Sequence, residues 1–279
     1  MALSIQSNMA SLSIQNQLNR SNNDLSVALE RLGSGFKINS AKDDAAGLQI
    51  ATRLNAQVRG QEAGLYNGNN AMSMMQTAEG AFEEMTNIAY RMKELATQGA
   101  SDTNGAGEWT AQSAEYTALA AELTNIMDNT SFGDGTTLLD AAGKFGAGQV
   151  DFQVGASAAE TLGVDISTEL GNVTTAIGNA AAFTDVATAQ AQIAFVDTII
   201  DEIGTARSGL GATMNRLEHT MNNVTNMKEN TQASAGQLMD ADFAQETSNM
   251  TKQQLLMNSG ISVLSTANST TQMIGSLLR

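Results

Sequence analysis

Both ends of this 279-residue chain are stripped of charge, while everything between them is strongly acidic. No Asp, Glu, Lys or Arg stands between Ala2 and Asn19, nor between Lys252 and Arg279, yet the net charge is −15. The ends are not polar tails. Leu3, Ile5, Leu12, Ile14 and Leu18 recur at the front, and Leu255, Leu256, Ile261, Val263, Leu264, Ile274, Leu277 and Leu278 at the back. A polymer repeats every charge at each subunit, so self-repulsion is worst where packing is closest. The pattern predicts termini that bury against other copies of the same chain.

The inventory suits long helices packed side by side. Aromatics are 4% and proline is absent, while methionine serves as a flexible apolar filler. Without cysteine there is no disulfide, thiolate metal site or cysteine nucleophile. Two readings of the missing proline stand side by side. Long helices exclude it, and a chain that must unfold, travel and refold avoids isomerisation steps of roughly 10–100 s. No secretory leader is expected, because Gln6, Asn8, Gln15 and Asn16 interrupt any apolar run. Membrane insertion is not expected either, since Gln253, Gln254, Asn258, Asn268 and Gln272 dilute the last stretch. The acidic balance argues against nucleic acid.

Heptad spacing dominates the second half. Ile193, Val196, Ile200, Ile203, Leu210, Met214, Leu217, Met221 and Val224 follow a 3–4 alternation whose single gap falls on Arg207. Such a repeat predicts coiled-coil packing of a helix over 187–235, about 70 Å long. Arg207 either neutralises an acidic group on a facing helix or lies at a contact between subunits. Ala78, Ala81, Met85, Ile88, Met92 and Leu95 keep the same alternation in a helix expected from about Asp43, and Tyr116, Leu119, Leu123 and Ile126 in a shorter one. Ser40 to Asp43 reads as a capping box at the first of these starts. Weaker seams of period seven run through Leu18, Leu25 and Leu32, and through Phe243, Met250, Met257, Leu264, Thr271 and Leu278. Seams this diluted suit helices that order when neighbours supply the missing surface.

Between Phe132 and Ile166 the period shortens to two, with glycines at 133, 135, 143, 146 and 148. Short strands joined by turns are expected there. The glycines lack the Lys-Ser/Thr ending of a phosphate loop. The fold class is thus mainly α: a long-helix coiled-coil bundle with a small β-hairpin region at about 132–170 and paired N- and C-terminal helices.

Two long motifs carry a resemblance. Glu30-Arg-Leu-Gly-Ser-Gly-Phe-Lys-Ile-Asn-Ser-Ala-Lys-Asp-Asp-Ala-Ala-Gly47 is similar to the N-terminal motif of bacterial flagellins. Ala241-Asp-Phe-Ala-Gln-Glu-Thr-Ser-Asn-Met250, Gly260-Ile-Ser-Val-Leu-Ser-Thr-Ala-Asn268 and Ser276-Leu-Leu-Arg279 resemble the C-terminal one. The resemblance implies a structural subunit of the extracellular flagellar filament, short of large outer domains, exported unfolded and assembled at the tip. It implies an inner-tube helix pair from 1–42 and 237–279 and an outer-tube bundle over 43–236. Self-assembly is then expected to rest on Leu3, Ile5, Leu12, Leu18, Leu25, Leu32, Met250, Met257, Leu264 and Leu278. The implied partners are other copies of the chain, an export chaperone, and the filament cap and junction proteins. The stretch Tyr90 to Leu95, with Glu115, resembles the surface that many flagellins present to a Toll-like receptor, which puts Arg91, Leu95 and Glu115 at the matching positions.

Enzyme chemistry is not expected. His219 is the single histidine, so neither a tetrahedral His/Cys metal site nor a Cys–His dyad can be assembled. No catalytic residue, metal or cofactor is assigned. The competing readings are a hook–filament junction protein, which shares paired helical ends but forms rings, and a secreted coiled-coil adhesin or effector.

Overall fold

The computed structural model describes residues 8–277. Six helices alternate with two short hairpins in the order α1 (Met9–Ser34), α2 (Ala45–Gly99), α3 (Ala106–Asn129), β1 (Ser131–Phe132), β2 (Thr136–Thr137), β3 (Val150–Gln153), β4 (Thr161–Val164), α4 (Ser167–Gly178), α5 (Val186–Met239) and α6 (Phe243–Leu277). The chain divides into two compact units, one from 1–56 with 230–279 and the other from 57–229. The long helices α2 and α5, each about 80 Å by their residue count, contribute to both.

Most of the helices open on an Asn or Asp that captures orphan backbone N–H groups. Asn8 Oδ1 accepts from Ser11 N–H at 3.0 Å, Asp185 Oδ1 from Thr188 N–H at 2.8 Å and Asp242 Oδ1 from Ala244 N–H at 2.9 Å. Hydrogen bonds from Thr188 hold the Asp185 carboxyl below its usual range, as those from Ser167 do for Asp165. The start of α2 differs from the sequence expectation. Asp44 is the cap, accepting from Gly47 N–H at 2.9 Å. Asp43 instead closes the turn before the helix, taking Ser40 N–H, Ser40 Oγ–H and Asn39 N–H, which lowers its pKa. Two adjacent aspartates leave the spacing ambiguous, and the second one wins because its side chain reaches the free N–H of the first turn. At the other end of α1, Gly35 adopts φ +78° and returns its N–H to Arg31 O, a left-handed stop that suits glycine.

In the unit of residues 57–229, α2, α3, α4, α5 and both hairpins share one core. Phe82, Tyr116, Phe145 and Phe183 are fully enclosed there with Met75, Met85, Met92, Leu123, Leu138 and Leu139. Both hairpins are antiparallel, pairing Phe132 with Thr136 and Phe152 with Leu162, and the tight turn at Gly133 and Gly135 uses positive φ at both. Gly64 allows β3 to approach α2 closely, since a Cβ there would sit 2.5 Å from Val154 O. The helix α4 was not anticipated. Its twelve residues sit between strands and a long helix, too short for a heptad to register, and it buries Leu170, Val173, Ala176 and Ile177.

The heptads are present, but shifted. The deepest line on α5 is Ala189, Gln192, Val196, Ile199, Ile203, Ala206, Leu210, Thr213 and Leu217, all buried, while Ile193, Ile200, Arg207 and Met214 flank it. On α2 the buried line takes Phe82 and Ala89 where Ala81 and Ile88 were expected, and on α3 it takes Met127 where Ile126 was. A helix packed against a single partner buries one seam. One that meets several elements buries a wider stripe, and its centre moves between the two seams. Small residues then take the crowded middle. Arg207 therefore interrupts nothing: Ala206 holds the core position, and the guanidinium pairs with Glu79 on α2 at 2.7 Å. That contact, led by the hydrogen bond to Glu79, raises the Arg207 pKa and answers the question the sequence left open.

Tyr116 gives a pH test of this core. Its ring packs edge-on to Phe183 at 5.6 Å and its hydroxyl donates to Gln192 Oε1 at 3.0 Å. Burial pushes its pKa up from 10.0 to about 12. The unfolded chain loses this proton near pH 10 and the folded one near pH 12. The folded state thus holds more protons in that window, and stability falls as pH rises through it. Urea unfolding between these pH values is expected to show that decline in the native chain and a shallower one in Tyr116→Phe. Equal slopes would contradict the burial.

Candidate self-assembly surface

In the unit of residues 1–56 and 230–279, α1 runs antiparallel along α6. Asn8 Nδ2 donates to Ala267 O at 3.2 Å, Gln253 Nε2 to Asp24 Oδ2 at 3.4 Å and Arg31 Nη1 to Glu246 Oε1 at 3.0 Å. The facing lines are heptads: Ser11, Ile14, Leu18, Ser21, Leu25, Ala28 and Leu32 on α1, with Glu246, Met250, Gln253, Met257, Gly260, Leu264 and Ala267 on α6, all buried or half-buried. Where the linkers pass, Lys37 N–H donates to Met239 O at 2.6 Å and Ala241 N–H to Gly35 O at 2.9 Å. Gly260 lets the helices approach, for a Cβ there would lie 2.7 Å from Leu18 Cδ2.

This geometry sorts the expected assembly residues. Leu18, Leu25, Leu32, Met250, Met257 and Leu264 face the partner helix of their own unit and are half-buried. Leu12 is more than half exposed. Leu3, Ile5 and Leu278 lie outside the described residues. Besides Leu12, the free aliphatic surface belongs to side chains outside that set: Val27 and Leu29 on α1, and Leu255, Leu256, Ile261 and Val263 on α6, all exposed. They occupy both flanks and the back of their helices. From Leu255 to Val263 α6 thus carries exposed aliphatic side chains beyond the face turned to α1, and no charge follows Lys252 before Arg279, which suits a helix that gains further neighbours. Sequence reading named the four on α6 among the uncharged ends but chose the heptad members for the site, and it named neither Val27 nor Leu29. Subtracting the heptad would have left the flanks.

Arg91, Leu95 and Glu115 do not form one accessible patch in the subunit. Leu95 is 2% exposed, inside the core. Arg91 and Glu115 stay at the surface and bind each other at 2.9 Å, with Glu94 as a second partner at 2.9 Å; these contacts, Glu115 first, raise the Arg91 pKa. His219 is exposed on α5. Among the described residues no group of three or more His, Cys, Asp or Glu is placed to hold a metal ion, and no helix is long and apolar enough to cross a membrane.

Comparison with known proteins matches these features. The family described as the bacterial flagellin N-terminal helical region matches residues 5–144, and the bacterial flagellin C-terminal helical region matches 193–278. B-type flagellin of Pseudomonas aeruginosa is 48% identical over 166 residues, 60% of this chain and 33% of that protein. Flagellin A of Vibrio anguillarum is 48% identical over 162 residues, 58% and 41% of the two chains. The chain spans less than half the length of these curated relatives. Among solved structures, Bacillus cereus flagellin superposes with a TM-score of 0.50 at 31% identity, covering 58% of this chain and 93% of that one. A putative flagellar hook-associated protein from Vibrio parahaemolyticus gives 0.57 at 13% identity, over 71% and 100%, a likeness of fold alone.

Proposed function

The chain belongs to the bacterial flagellin family, and from that premise we propose that it polymerises with its own copies into an extracellular flagellar filament, docking through α1 and α6. Flagellins are structural proteins, and no enzymatic role is assigned. The observation that carries the docking is the stretch of α6 beyond Lys252, which has no charge and whose Leu255, Leu256, Ile261 and Val263 remain exposed around a helix already paired on one side. Burying such side chains completely is worth about 1.5–3 kcal/mol each. That is enough, summed over a helix, to drive association. The acidic remainder keeps assembled subunits soluble and spaced. Export in an unfolded state, a chaperone over the last helix, and the cap and junction proteins belong to the same proposal.

The test is electron microscopy and sedimentation of the purified chain in precipitating salt, seeded with sheared filament fragments. Long helical filaments are expected. Rings would favour the hook–filament junction reading, and monomers that resist every seed would overturn the proposal.

A further inference from the structure

We infer that the ion pair between Arg31 and Glu246 sets the register of the α1–α6 coiled coil. The apolar part of the seam cannot do this alone. Leu18, Leu25 and Leu32 are interchangeable knobs seven residues apart, and Met250, Met257 and Leu264 repeat with the same period. Sliding one helix by a heptad therefore trades one leucine contact for another. The close fit of Leu18 over Gly260 does not exclude such a slip, because in one direction Leu25 would take the notch at Gly260 and Leu18 would meet the small Ala267.

The linker hydrogen bonds of Lys37 with Met239 and Ala241 with Gly35 oppose a slip outside the helices, and within the coiled coil the charges break this degeneracy. In the observed register Arg31 Nη1 lies 3.0 Å from Glu246 Oε1, and the glutamate side chain is 9% exposed. Slide α6 one way and Arg31 faces Gln253, while Glu246 runs past Ser34, the last residue of α1, into a position with no partner on that helix. Slide it the other way and Glu246 faces Asp24, a like charge, while Arg31 faces Met239. A buried charge deprived of its partner is costly, whereas in the observed register each charge faces the other, although Arg31 Nε itself finds no partner among the described residues. A polar contact in an apolar seam fixes register in coiled coils by this same asymmetry.

The consequence for docking rests on the proposed polymerisation, but the register itself does not. One heptad is a displacement of about 10 Å. A slip would carry Leu255, Leu256, Ile261 and Val263 that far from Leu12, Val27 and Leu29, and neighbouring subunits would meet a mismatched surface. Arg31 and Glu246 are thus positioning residues for assembly. Their Nε and carboxylate do not need to touch a neighbour.

The chain has no native cysteine, so paired cysteines report the register cleanly by intramolecular disulfide formation in soluble and in salt-polymerised protein. Asp24→Cys with Gln253→Cys reports the observed register. Gln17→Cys with Gln253→Cys and Gln17→Cys with Ala267→Cys report the two slips. In the otherwise native chain the first pair should close at least about ten-fold more than either slipped pair, the margin that roughly one lost charge contact supplies. Combining Arg31→Met with Glu246→Leu should reduce that preference to about three-fold or less. The exchange Arg31→Glu with Glu246→Arg should restore it against the slip reported by Gln17 and Ala267, even if the apolar variant proves too disordered to close any pair; against the other slip it should not, because position 246 would then meet Asp24 with an opposite charge. A preference that survives the apolar replacement, an exchange that fails to restore it against the Gln17–Ala267 slip, or a native chain that favours no pair would each overturn the inference. Failure of the native chain to form filaments, with the register intact, would count against the proposed polymerisation alone.

Discussion

A subunit carrying Leu256→Asp and Val263→Asp is expected to remain folded and to lose filament growth. Both side chains lie on one flank of α6 and are 43% and 51% exposed, so carboxylates there stay hydrated in the isolated chain. In a filament they would be enclosed at every subunit. Taking an unpaired charge out of water costs several kcal/mol, and each 1.4 kcal/mol is ten-fold in an equilibrium constant. The critical concentration for polymerisation should therefore rise by more than about 100-fold. Sedimentation of polymer against protein concentration measures it, and circular dichroism checks that helix content is kept. Growth at the native critical concentration would show that this flank does not dock. A lysine at Leu264 is a less clean probe, because that residue faces α1 in the same unit and its replacement disturbs the seam as well.

The second large effect is on stability. Phe82→Ala empties a fully enclosed site in the core of residues 57–229. Removing a buried phenylalanine costs about 3–5 kcal/mol, from lost transfer energy and the cavity left behind. For a unit of this size each kcal/mol moves the melting temperature by about 2–4 °C, so the thermal midpoint should fall by about 6–20 °C. Tyr90→Ala, at a site 54% exposed on the same helix, is the control and should shift the midpoint by no more than about 2 °C. Scanning calorimetry measures both. A Phe82→Ala midpoint within that control range would mean that the core does not hold together as described.

Much of the architecture was legible because its causes are local. The absence of proline and the 3–4 alternation call for long helices, and α2 and α5 run 55 and 54 residues. Glycines at 133 and 135 announce a tight turn, and both adopt positive φ. Uncharged termini announce helices short of polar contacts, and α1 and α6 are paired. Where reading faltered, the deciding cause was remote in sequence. Ala81 and Phe82 both continue a heptad, as do Arg207 and Ala206, and nothing within a few residues says which one faces inward. Leu95 belongs to the seam of α2 as expected, and the same burial withdraws it from the surface on which the resemblance had placed it. The helix α4 owes its existence to the cleft that Leu170, Val173 and Ile177 fill, not to a strong pattern of its own.

The sequence by itself determined the kind of element, its approximate extent and the neutrality of the ends, since backbone propensity, capping chemistry and charge act over a few residues. Only the tertiary structure decided which of two adjacent lines on each helix is the core, which heptad of α6 lies against which of α1, and therefore which aliphatics remain exposed. Those choices depend on how many neighbours a helix has and where they stand. A repeat of seven looks the same after a slip of seven, so only contacts remote in sequence, such as Arg31 with Glu246 and Lys37 with Met239, distinguish one register from the next.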